Sequence, residues 1–89
     1  MDVYKDSRYF SLSNFYATAF LVAKDQTLVN IDKLADPKRA QFILLNTPEL
    51  EPLLHNYNFA QEDSPEVLVD ARKFVTAIKT LKDKLYQDF

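Results

Sequence analysis

His55 is the single histidine of an 89-residue chain, so no second imidazole exists to complete a two-histidine metal or acid–base site. Beside Leu50 and Leu54 on a helix it borders an apolar stripe, where a solvated or hydrogen-bonded flank position is expected. Carboxylates come in close pairs, Glu49 with Glu51 and Glu62 with Asp63. Acid–base catalysis requires surroundings that drive two carboxyl pKa values apart, whereas a helix start and a polar loop keep these pairs in water. Ser11, Ser13 and Ser64 lie in no nucleophile-elbow sequence and read as helix caps. The chain has no cysteine, which excludes a thiol nucleophile, a disulfide scaffold and a zinc finger. It also has no glycine, and backbones that cradle phosphates or approach a dinucleotide need residues with φ > 0 or without a Cβ. P-loop and Rossmann fingerprints are therefore excluded. These residues predict a protein that is not an enzyme, with no catalytic residue, no cofactor and no metal.

Binding chemistry has two candidates. Arg8-Tyr9-Phe10 sets a base beside two aromatics, and Lys33, Lys38 and Arg39 flank a hairpin loop. Stacking rings with nearby cations are what single-stranded nucleic acid requires, so Arg8, Tyr9, Lys38 and Arg39 carry the alternative reading of a small nucleic-acid-associated regulator. No run of Lys or Arg, Gly and aromatic residues supports it, and an edge segment with inward-packed rings is the preferred assignment. The net charge of −2 supplies no overall attraction to nucleic acid. Charge is uneven, however: residues 1–69 hold six bases and ten acids, residues 70–89 five bases and three acids. At 100° per residue, Arg72, Lys79 and Lys82 fall on one flank of the C-terminal helix and Lys73 and Lys84 on the far side, a pattern expected of a solvated helix surface.

The elements that must position these residues follow from the apolar pattern. Ser11 or Ser13 is expected to cap a helix running to Lys24, with Leu12, Phe15, Tyr16, Ala19, Phe20 and Ala23 at helical spacing. Leu21 and Val22 then fall on the opposite side, and a helix apolar nearly all round must be covered on both sides. Burial in a second copy is the simplest cover, so Phe15, Ala19, Leu21 and Val22 are the candidate interface of a homodimer. Thr27 to Asp32 reads as a strand, Asp36-Pro37-Lys38 as a turn and Ala40 to Asn46 as the return strand. Phe42-Ile43-Leu44-Leu45 shows no polar alternation, which predicts cover on both faces. Thr47-Pro48-Glu49 is a helix start with a capping hydroxyl, followed by the stripe Leu50, Leu53, Leu54 and Tyr57. Val67-Leu68-Val69 is read as a short strand ahead of a helix from Ala71 to Gln87, with Asp70 as a second cap; the alternative is a helix that starts at Pro65, with Val67, Ala71, Phe74, Ile78, Leu81 and Leu85 as an unbroken seam.

Eighty-nine residues make one compact domain, 1–89, that buries only about 60–65% of its unfolded surface. The longest apolar run, Phe15 to Ala23, is too short to cross a bilayer, the first six residues hold no apolar core of signal-peptide length, and the cytoplasm is the expected compartment. Three stretches then carry a resemblance: Phe10-Ser11-Leu12 before an Ala-rich helix, Gln41-Phe42-Ile43-Leu44 before Thr47-Pro48-Glu49-Leu50, and Val69-Asp70-Ala71-Arg72-Lys73-Phe74 with Leu81-Lys82-Asp83-Lys84-Leu85-Tyr86. With them the chain resembles a family of short bacterial and phage proteins known only as a domain of unknown function. The chain departs from that family in having Lys24-Asp25 where a glycine often follows the first helix. The resemblance supplies no activity or ligand. The sequence therefore predicts an α+β domain, a small antiparallel sheet (hairpin about 27–46) on two to three helices, acting as a self-associating interaction or adaptor module.

Overall fold

The computed structural model describes residues 6–33 and 39–86. Its elements run β1 (Tyr9–Leu12), α1 (Phe15–Ala23), β2 (Leu28–Asp32), β3 (Gln41–Leu45), α2 (Leu50–Phe59), a 3-10 turn (Pro65–Val67) and α3 (Ala71–Leu85). The fold is α+β. Three antiparallel strands stand in the order β1-β3-β2, and the edge segment expected around Arg8-Tyr9-Phe10 is strand β1. The Asp36-Pro37-Lys38 turn lies outside the described residues.

Strand β3 is central, and Phe42, Ile43 and Leu44 are all buried, but Leu45 at the end of the same apolar run is exposed, so the expected cover on both faces does not extend to it. Phe42 and Leu44 face the helices together with Phe10, Leu12, Leu28 and Ile31, whereas Ile43 belongs to the other face and stands outside the main core cluster. The β2–β3 register slips between Leu28 and Asn30, so Val29 is an extra residue. Such a bulge puts two successive residues opposite one partner, and here Val29 and Asn30 share Ile43.

Helix α1 is capped by Asn14 and not by either serine: its Oδ1 accepts from the Ala17 N–H at 3.0 Å. The strand continues through Leu12, which moves the helix start one residue beyond where Ser13 would set it and three beyond where Ser11 would. Ala17, Thr18, Ala19, Phe20, Leu21 and Ala23 are all buried. The one polar side chain among them, Thr18, donates its hydroxyl to the Asn14 carbonyl at 2.7 Å, so no buried donor is left over. Leu21 is covered within the chain. Ala77 and Leu81 of α3 join Ala19, Phe20 and Leu21 in one fully buried cluster with Phe42, Leu44 and Leu50.

The turn after α1 keeps the geometry of a glycine without having one. Gln26 N–H donates to the Leu21 carbonyl and Asp25 N–H to the Val22 carbonyl, each at 3.0 Å, the paired bonds of a Schellman motif. Asp25 sits at φ 70°, which short polar side chains tolerate and β-branched ones do not. Asp25→Val is expected to lower stability by about 1–2 kcal/mol, read as a lower denaturation midpoint. Asp25→Gly keeps the turn.

Two further expectations are corrected. Thr47 does not cap α2; its hydroxyl donates to Gln26 Oε1 at 2.5 Å, and no side chain caps that helix. Pro48 and Glu49 form a turn ahead of Leu50, so Thr47 stands too far upstream to reach the first free amides and instead ties the α1–β2 turn to the start of α2. Val67-Leu68-Val69 is not a strand: Val67 ends the 3-10 turn, Leu68 and Val69 are irregular, and α3 begins after Asp70. No strand among the described residues pairs with that segment, and three residues of β propensity make no ladder alone. Asp70 caps α3 as expected, accepting from Arg72 N–H at 2.8 Å and Lys73 N–H at 3.0 Å.

Candidate interaction surfaces

Two of the four candidate interface residues of α1 are inaccessible to a partner. Ala19 and Leu21 are 0% exposed, and Phe15 and Val22 are half-buried against the core, Phe15 meeting Phe42 edge-on at 6.0 Å. The need to cover Leu21 with a second copy is met by α3.

The nucleic-acid candidates are dispersed in role. Arg8 holds Asp6 in a bidentate ion pair, Nη2 to Oδ2 at 2.7 Å and Nε to Oδ2 at 3.1 Å, while its guanidinium lies 5.6 Å from the centre of the Tyr9 ring. Tyr9 is half-buried and Arg39 exposed; Lys38 lies outside the described residues. The Arg8 hydrogen bonds hold the Asp6 carboxyl below its ordinary value. A carboxylate with a depressed folded-state pKa contributes above its unfolded pKa and loses that contribution as pH falls through the folded one. Protonation of Asp6 in acid therefore removes the pairing with Arg8. An NMR titration is expected to place the Asp6 midpoint below that of a free aspartate; an ordinary midpoint means that the pair does not persist in solution.

His55 is exposed on α2 and packs its ring 4.9 Å from that of Phe59. Glu49, Glu51, Glu62 and Asp63 are all exposed. Among the described residues no group of three or more His, Asp or Glu could hold a metal ion, and no helix is long and apolar enough to cross a membrane.

Among the described residues Tyr16, Phe59 and Leu68 are exposed singly, and two further surfaces carry more than one exposed apolar side chain. One is the outer face of the sheet, on the side away from the helices, where Tyr9 lies beside Leu45 and the bulge presents Val29. Val29 is 41% and Leu45 42% exposed. The other is the outer side of α3, where Val75 and Tyr86 are exposed among Arg72, Lys79 and Lys82. The basic flank was legible from helical spacing, and placing Val75 and Tyr86 on the same wheel would have completed it. Val29 carried no such signal, because a bulge depends on the register of two strands.

The family model of a domain of unknown function, DUF5659, matches residues 7–87, from before β1 to beyond the end of α3. The chain belongs to the DUF5659 family. No curated protein and no solved structure matches it. For this DUF5659 domain, function must be argued from its surfaces.

Proposed function

We propose that this DUF5659 domain, a bacterial or phage protein of the cytoplasm, is a non-enzymatic protein–protein interaction module that self-associates through the outer face of its sheet. The observation that carries this reading is the partial exposure of Val29 and Leu45, large apolar side chains at the sheet face opposite Phe42 and Leu44, where Ile43 alone is buried. Contiguous exposed apolar surface marks interaction sites more often than chance does. The face suits a second copy. Tyr9, Ser11, Ile43, Leu45, Val29 and Asn30 carry no charge; the Arg8 charge beside Tyr9 is matched by Asp6, and Asp32 stands at the far end. A two-fold dimer uses one self-complementary patch and closes.

Light scattering at micromolar concentration is expected to give a dimer mass. Leu45→Asp is expected to give a monomer with unchanged circular dichroism, because it places a charge at the centre of the contact and leaves the core intact. A wild-type monomer sinks the self-association reading, and a dimer that Leu45→Asp leaves intact moves the interface elsewhere.

A further inference from the structure

The outer side of α3 carries a second pattern. At 100° per residue, Arg72, Val75, Lys79, Lys82 and Tyr86 fall within an arc of about 80°, turned roughly 150° from the inward-facing Phe74, Ala77 and Leu81. All five are exposed, Val75 by 48% and Tyr86 by 76%. None of the three cations forms an ion pair with a described residue; the lysine of α3 that does, Lys73, pairs with Asp25 on the other side of the helix. Asp83 borders the stripe beside Lys79 and forms no ion pair with it. From Arg72 to Lys82 the stripe runs about 15 Å along the axis.

A row of positive charge does not dock on itself, because two copies would juxtapose like charges. Nor does it suit a polyphosphate. Residues 40–71 hold six acids and neither lysine nor arginine, a repelling neighbour for nucleic acid, and Val75 would lie between the cations with no apolar partner. Cations interleaved with exposed apolar groups match a helix whose acids flank an apolar stripe. We propose that the outer face of α3 docks an acidic amphipathic helix of another protein, its carboxylates meeting Arg72, Lys79 and Lys82 and its apolar side chains covering Val75 and Tyr86. This inference rests on reading the domain as an interaction module and names a partner class for a surface distinct from the sheet face.

The test titrates the full isotopically labelled chain with three probes: a synthetic amphipathic helix bearing glutamates at i, i+4 and i+7 beside leucines, the same peptide with glutamine for glutamate, and a single-stranded oligonucleotide. The acidic peptide is expected to shift the amides of Arg72, Val75, Lys79, Lys82 and Tyr86. Binding between exposed charges is screened by salt, so affinity is expected to fall about tenfold between low and molar ionic strength, and about tenfold in the Arg72→Gln, Lys79→Gln, Lys82→Gln variant. Equal binding of the glutamine peptide, shifts confined to other elements, no binding of the acidic peptide, or preference for the oligonucleotide each overturns the inference. The two readings fail separately. An intact dimer mass without peptide binding removes only the α3 surface, and a monomer that binds the peptide through α3 removes only the sheet-face dimer.

Discussion

Leu21→Glu is expected to leave the chain largely unfolded. Leu21 is 0% exposed and lies in the fully buried cluster with Ala77 and Leu81, with no base among that cluster to pair with a new carboxylate. The substitution removes a buried leucine and either strands a charge or forces its protonation, together costing about 4–5 kcal/mol or more. A domain of this length has a total stability of roughly 4–13 kcal/mol. Circular dichroism and proton NMR are expected to show lost helix and collapsed dispersion. A folded, well-dispersed variant would mean that α3 does not cover Leu21 and would return α1 to the list of docking surfaces.

The second large effect lies on the facing helix. Ala77 and Leu81 are the only buried residues of α3, flanked by the partly buried Phe74 and Ile78, and Leu81 is the one large side chain of that helix that is fully buried. Leu81→Ala is expected to cost about 3 kcal/mol, lost transfer energy plus the cavity left where neighbours relax only in part. Lys79→Ala, on the exposed side, is expected to shift the midpoint by no more than about 0.5 kcal/mol. The comparison matters for the proposed docking stripe: it separates residues that hold α3 in place from those that only face outward. Equal losses for the two variants would mean that the stripe is part of the fold.

Much of this architecture was legible because it depends on neighbours within a turn or a strand. The apolar spacing of Phe74, Ile78, Leu81 and Leu85 fixed α3, Leu50, Leu53, Leu54 and Tyr57 fixed the inner side of α2, and the unbroken Phe42-Ile43-Leu44 run marked the buried central strand. Asp70 caps α3 because a carboxylate directly before a helix reaches its first amides wherever the rest of the chain goes. Local signals failed where two were in competition. Ser11, Ser13 and Asn14 are all good caps, and only the extent of β1 selects Asn14; Thr47 is a good cap, and only the approach of Gln26 takes its hydroxyl away.

The sequence alone determined that a small α+β domain forms, that phosphate-cradling loops and thiol chemistry are absent, and that α1 is too apolar to stand in water. What covers α1, and hence which surfaces remain for partners, was decided by tertiary structure. Leu21 meets α3 from a position more than fifty residues along the chain, and Val29 is turned outward by a slip in register between two strands. Periodicity reports which side of an element is apolar, because that is a property of consecutive residues. It carries no information on what that side touches, which depends on how distant elements share one small core.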